Sequence, residues 1–318
     1  MHLENKNNVK YHIIDEGSEG QKIDNFLLKI LKNVPKSHVY KLLRSGQVRV
    51  NKKRIRTDFR LSINDSVRIP PVSFKERNTY IPVFANKSKL TDIEKAILFE
   101  DDAFIVLNKP YGIAVHGGSG VNFGVIELLR QSRPKAKFLE LVHRIDKDTS
   151  GALLIAKKRL ALVGIHKQMR NKSMHKKYEV IVHGVWHKKQ LIVDLNLLKI
   201  SNADGQKKVS VVDDPNFSIN SKKSRSVFFL KKNFKDFTFL EVKLITGRTH
   251  QIRVHLSHLG FPIVGDQKYG DFVLNKKSRK AGYTRMFLHA SEVSFIHPIT
   301  MKEIYFSAPT PKEFNRIN

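Results

Sequence analysis

The chain has 318 residues, 41% of them hydrophobic, and sets 58 Lys+Arg against 29 Asp+Glu for a formal net charge of +29. That length suits two domains of about 100–200 residues, and the apolar content excludes wholesale disorder. The charge lies far beyond the roughly 2–8 units that keep a small domain soluble, so it points to a polyanionic partner whose phosphates Lys and Arg would neutralise. With no cysteine, disulfides, a thiolate nucleophile and a Cys-type zinc site are excluded. No stretch reaches the about 18 consecutive apolar residues of a membrane span. The opening "MHLENKNNVKYHIIDEG" lacks the apolar segment of a signal peptide, so a soluble, cytoplasmic protein is expected.

Residues 1–18 read as an N-terminal segment, and 19–75 as a small first domain. Ile23, Phe26, Leu27, Ile30 and Leu31 fall on one helical stripe. A second stripe of Val39, Leu42 and Leu43 follows "NVPKS", where Pro35 sets a new start, Ser37 can cap it, and Ser45-Gly46 ends it. "QVRVNKKRIR" then alternates as a hairpin turning at Asn51-Lys52, and "LSINDSVRIPP" adds a strand. The stretch "QKIDNFLLKIL…VPKSHVYKLLRSGQVRVNKKRI" resembles the S4 RNA-binding domain. The resemblance implies a basic surface offered to structured RNA, with Lys36, Ser37, Arg44, Lys52, Lys53 and Arg54 as its contacts.

Residues 76–95 carry Pro, Asn, Ser and Lys with weak periodicity and read as a linker. From 96 to 318 the texture changes. "AILFEDDAFIVLNKP", "GALLIAKK", "KYEVIVHGVW", "TFLEVKLI" and "RMFLHASEVSFIHP" read as strands, while "GVIELLRQS" and "RTHQIRVHLSHLG" read as helices. This second part is expected to be an α+β domain rich in antiparallel strands.

Phosphate-cradling and dinucleotide glycine motifs are missing, and so is a nucleophile elbow. His250, His255 and His258 have weak metal spacing and no acid beside them, so no metal is expected. What remains is an acid in a basic field. In "LELVHRIDKDTSGALLIAKK", Asp146 follows Arg144 by two residues and precedes a Thr-Ser-Gly turn and an apolar strand. Asp146 or Asp148 could cap that turn through an Asx motif. Alternatively, a nearby guanidinium would hold Asp146 ionised and oriented, as a carboxylate nucleophile or general base requires.

"HRIDKDTSG" at 143–151 closely resembles the signature of the RluA-type pseudouridine synthases. "VLNKPYGIAVHGG" (106–118), "KKYEV" (176–180), "TGRTHQIRVHLSHLGFPIVGDQKYGD" (246–271) and "RMFLHASEVSFIHP" (285–298) resemble further motifs of that family, in order. Ile145 stands where the family usually has Leu, a volume-conserving change. The resemblance implies a pseudouridine synthase fold on a mixed, mainly antiparallel sheet and isomerisation of several uridines of 23S ribosomal RNA without cofactor or metal. Asp146 would be the essential carboxylate, Arg144 would fill the space of the extruded nucleotide, Tyr178 would pack on the uracil and assist proton removal at C5, and Arg248 would ion-pair with Asp146. Lys109, His116, His143, His250 and Arg253 would face the RNA. The expected partner is 23S RNA or the assembling large subunit, bound by a monomer without membrane contact. A sibling synthase with another uridine set and a non-catalytic RNA-binding assembly factor are the alternatives; the intact Asp146, Tyr178 and Arg248 argue against the last.

Overall fold

A computed structural model describes residues 8–31, 34–72, 84–118, 123–201, 207–212 and 220–317. The chain divides into two units, Met1–Phe84 and Ala85–Asn318. Among the described residues no helix is long and apolar enough to cross a membrane.

The first unit runs β1 (Lys10–Ile13), α1 (Ile23–Ile30), α2 (Lys36–Arg44), β2 (Arg49–Val50), β3 (Lys53–Arg54) and β4 (Ser66–Ile69). Its antiparallel sheet has the order β1-β4-β2-β3. The two predicted stripes form its core: Ile23, Phe26 and Leu27 of α1 pack with Val39, Leu42 and Leu43 of α2 against Val48, Val50 and Val67. Asn51 and Lys52 both take left-handed φ values, 48° and 66°, as a tight two-residue hairpin turn demands. The Asn51 amide holds the turn by donating to Asp65 and accepting from the Ser66 N–H. Two expectations need correction. Residues 1–18 are not merely a leading segment, because β1 within them completes the sheet beside β4. Ser37 does not cap α2: Pro35 occupies the N-cap, and Ser37 sits exposed in the first turn.

The second unit opens on α3 (Lys87–Lys95), β5 (Ile97–Glu100), β6 (Phe104–Lys109), α4 (Val125–Ser132), β7 (Glu140–Leu141), β8 (Ser150–Ala156) and α5 (Arg159–Arg170). It continues with β9 (His175–His183), β10 (Gln190–Ser201), β11 (Lys207–Val211), β12 (Lys222–Asn233), β13 (Phe237–Leu244), α6 (Gln251–His258), α7 (Phe272–Lys280), β14 (Leu288–Ile296) and β15 (Glu303–Ser307). Eleven strands form one sheet in the order β11-β10-β12-β13-β9-β14-β8-β6-β5, with β15 on β14 and β7 on β8. Only the β14–β8 pairing is parallel among these strands, so the sheet is mixed and mainly antiparallel.

Every residue of β8 is buried, because both sheet faces are covered. Leu153 and Ile155 join α4 and α6 in one core, whereas Ala152, Leu154 and Ala156 join α5 in the other. The linker expected over 76–95 is corrected at its C-terminal end. Residues 73–83 lie outside the described residues, but Asn86 caps α3, and Glu94 of that helix receives Arg133 at 2.7 Å. Helix α3 therefore belongs to the second unit, and its single buried residue, Ile93, explains the weak periodicity.

Candidate active site

The loop between β7 and β8 carries Asp146, and the sheet fixes it from behind. Gly151 pairs with Ala290 across the parallel β8–β14 contact. It takes φ 107° with the Ala290 backbone where a Cβ would project, so only glycine fits. The Thr149 N–H donates to the Asp146 carbonyl at 3.2 Å. Lys109, fully buried, braces the loop from the other side. Its ammonium donates to the carbonyls of Pro110, Ile113 and Lys147 at 2.9, 2.7 and 2.9 Å. Burial pulls its pKa down to about 7, against the pull of Asp148 and Asp146.

The Asp146 carboxylate is gripped by Arg253, whose Nη1 donates to Oδ2 at 2.8 Å. The rest of that guanidinium is clamped by Asp266, which accepts from Nε and Nη2, each at 2.7 Å. Asp266 also accepts the backbone N–H groups of Lys268 and Tyr269. Burial works against its ionised form, but these donors outweigh burial and hold its pKa below the usual carboxylate range. Arg253 is only 8% exposed and Asp266 1%, while Asp146 keeps 26% and faces the cleft. His250 sits at the left-handed N-cap of α6, with Nε2 3.8 Å from Asp146 Oδ1. Its Nδ1 meets the Tyr269 hydroxyl at 2.8 Å, and that hydroxyl accepts the Val209 N–H. Burial lowers the His250 pKa, with Asp146 pulling the other way.

Around this carboxylate lies a cleft of about 490 Å³ lined by Arg144, Lys176, Tyr178, Arg248, His250 and Arg253, with Ile145, Leu244, Ile252 and Leu288 as apolar wall. That is within the range of small-ligand pockets. Tyr178 is 6% exposed; burial first, and the Asp146 charge second, raise its pKa, so the phenol keeps its proton. A larger hollow of about 1080 Å³ along β10 and β11 shares Gly247, Arg248 and Thr249 with the cleft.

The structure thus brings Asp146, Tyr178, Arg144 and Arg248 to one cleft, but it redistributes their roles. The guanidinium on Asp146 belongs to Arg253, not Arg248; Arg248 is exposed and donates from Nε to the Lys223 carbonyl at 3.1 Å. Arg253 is correspondingly no outward RNA contact, since all its donor nitrogens are committed to two carboxylates. Lys109 is excluded from RNA by burial. His143 is buried too: its Nε2 accepts the Leu154 N–H, and burial drives its pKa to about 3. His116 is exposed and does not line the cleft. His255 points into the core at Ser224, and among the described residues no three metal-ligating side chains converge. Lys36, Arg44, Lys52, Lys53 and Arg54 are all exposed on the first unit. Asp266 and Tyr269 were missed as site residues, although both stand in the "VGDQKYGD" stretch.

A carboxylate anchored by Arg253 in a basic, ligand-sized cleft, in a chain of this charge, suits an enzyme that works on a polyanionic substrate. Residues 103–258 match the family model described as RNA pseudouridylate synthase, and residues 21–67 match that of the S4 domain. The chain is 47% identical over 309 residues to the "Ribosomal large subunit pseudouridine synthase C" of Pasteurella multocida (strain Pm70), covering 97% of this chain and 93% of the relative. It shares 45% identity over 300 residues with the protein of that name from Buchnera aphidicola subsp. Schizaphis graminum, at 93% and 92% coverage. Among solved structures, "Human RNA Pseudouridylate Synthase Domain Containing 4" matches 72% of this chain and 93% of its own with TM-score 0.59 and 26% identity. The chain belongs to the RNA pseudouridylate synthase family, with an N-terminal S4 domain.

Proposed function

We propose that this enzyme converts several uridines of large-subunit (23S) ribosomal RNA to pseudouridine, acting as a cytoplasmic monomer on the RNA or on an assembling subunit. The substrate is supported by the names of its large-subunit relatives, and the exposed basic face of the S4 domain suits docking to folded RNA through phosphate contacts. The observation that carries the chemistry is the Asp146 carboxylate, anchored by Arg253 on one oxygen and open to the cleft. The target uridine must leave its stack to reach it, at a cost of about a few kcal/mol. Arg144, exposed beside the cleft, fills the vacated space. Asp146 engages the ribose, by attack at C1′ or by removing a ribose proton. In the first case an Asp146–C1′ bond forms as N1–C1′ breaks and is itself broken when C5 bonds to C1′; in the second Asp146 returns the ribose proton at that step. On either route the N1–C1′ electron pair leaves on the uracil, the ring turns, C5 bonds to C1′, the C5 proton passes to water and N1 takes one up. Tyr178 packs on the uracil as a neutral phenol, its pKa raised by burial and by the Asp146 charge.

The test is to map pseudouridines by carbodiimide-dependent reverse-transcription stops in 23S RNA from cells lacking the gene, complemented by wild type or by Asp146→Asn. A set of stops should vanish on deletion and return only with wild type. Stops that persist without the gene overturn the substrate; stops restored by Asp146→Asn overturn the role of Asp146.

A further inference from the structure

The cations lining the Asp146 cleft are not equivalent. Arg253 is consumed by two carboxylates, and Arg248 leans on the Lys223 carbonyl. Lys176 differs from both. It stands on β9 two residues before Tyr178, so the two side chains leave the same face of the strand, and both line the cleft. Its neighbour Lys177 takes the opposite face and pairs with Glu292 at 2.9 Å. The half-buried Lys176 ammonium makes no hydrogen bond or ion pair among the described residues. Gly247 lies against it, with the position of a Cβ there 3.4 Å from Nζ. His143 nearby is buried and neutral, so it adds no like charge beside the ammonium.

We propose that Lys176 is a catalytic residue whose ammonium stabilises the uracil anion released when N1–C1′ breaks. The proposal rests on the functional reading above and deepens it. Whichever way Asp146 engages the ribose, the departing ring carries a negative charge spread over N1, O2 and O4. A primary ammonium offers three donors to those atoms. Burial has already stripped part of its hydration and lowered its pKa, so a cation with no resident anion gains most when one is created beside it. It need not transfer a proton: as C5 bonds to C1′ the electron pair returns from the ring, the C5 proton leaves, N1 is protonated, and Lys176 is unchanged. The same interaction holds the detached ring while it rotates, when no covalent bond retains it.

The test uses the full chain and a 23S RNA fragment under single-turnover, saturating conditions. Lys176→Met should slow pseudouridine formation at least about 100-fold, as loss of a preorganised anion-stabilising donor does, with RNA affinity changed less than about threefold. Lys176→Arg should recover most of the rate, and Lys177→Met should leave it unchanged. With 5-fluorouridine at the target, whose anion is a better leaving group, consumption of the nucleoside by Lys176→Met should lag wild type at least about tenfold less than with uridine. A purely structural role would not move that ratio. A Lys176→Met rate within about threefold of wild type overturns the proposal. So does a large loss of affinity with an intact saturated rate, which would mark Lys176 as a phosphate contact. If Lys176→Met fails to fold, an Arg variant no faster than about 1% of wild type while melting normally overturns it as well. Asp146→Asn, run in parallel, separates the two readings: full activity in that variant defeats the site assignment itself, whereas an inactive Asp146→Asn beside a normal Lys176→Met defeats only this proposal.

Discussion

The exchange of Arg253 for Arg248 as the partner of Asp146 gives the sharpest test of the site. Arg253→Lys keeps a positive charge in α6 but replaces a planar fork with a single ammonium, which cannot reproduce two parallel bonds to Asp266 and a third to Asp146. The bidentate pair to the 1%-exposed Asp266 should keep the ammonium, leaving Asp146 without its donor. A hydrogen bond to a charged group contributes about 1.5–3 kcal/mol. At about 1.4 kcal/mol per tenfold in rate, its loss should slow single-turnover pseudouridine formation about 10- to 100-fold. Arg253→Met should go further and destabilise the catalytic unit by about 3–5 kcal/mol, since Asp266 would be left buried and unpaired. Arg248→Lys should leave the saturated rate within about threefold of wild type and weaken RNA affinity at most modestly, with the salt dependence kept because the charge is kept. Rates come from quenched time courses with enzyme in excess, affinities from filter binding on the same fragment. If Arg248→Lys abolishes turnover while Arg253→Lys is silent, the assignment of the carboxylate's partner is wrong.

Two further outcomes follow from the electrostatics. His143, His255 and His289 are held neutral by burial, at pKa about 3, 4 and 4 against an ordinary 6.5. The unfolded chain therefore binds protons that the native state refuses, and stability should be complete above pH 6.5 and fall as pH drops from 6.5 toward 4, by about 1.4 kcal/mol per pH unit per histidine; urea titrations of wild type and His289→Gln should show the shallower slope in the variant. On the S4 hairpin, Lys52→Glu with Lys53→Glu should weaken RNA binding and flatten the dependence of log affinity on log salt by at least about 1.4, near 0.7–0.9 per lost phosphate contact, while the saturated rate stays close to wild type; an unchanged salt slope would place the RNA elsewhere.

The fold was legible where burial was two-sided or helical. The β8 run and the α1, α2 and α4 stripes announce themselves because apolar residues dominate the positions that touch the core. Strand β12 went unread since Lys and Arg crowd its ends and exposed face, and β10 because apolar Ile192 and Ile200 stand on exposed positions and blur its alternation. Helix α7 hides for a related reason: its buried positions are Asn275 and Ser278, and Asn275 binds the Gly265 N–H and the Asp266 carbonyl in place of an apolar contact. In the site, Asp146 was legible as an acid that a basic chain had no electrostatic reason to keep. Its partner was not. Arg248 and Arg253 lie within five residues on one segment, and choosing between them requires knowing that α6 starts at Gln251 and that Asp266 returns beneath it.

That ambiguity shows what a net charge of +29 does and does not explain. A uniform positive field draws RNA to the surface, but it cannot distinguish the uridine that reacts from the phosphates around it. Discrimination comes from how each cation is committed. Lys109, satisfied by three carbonyls, behaves as a brace; Arg253, shared by two carboxylates, behaves as an aiming device. Both are withdrawn from the RNA although composition counts them as ligands for it. The cleft cations left with unused donors, Arg144 and Arg248 on its exposed side and Lys176 within, are those able to respond to charge that arrives or develops with the substrate. On the proposed reading the basic chain keeps an acid at its centre to act on the ribose, and part of its basicity holds that acid still.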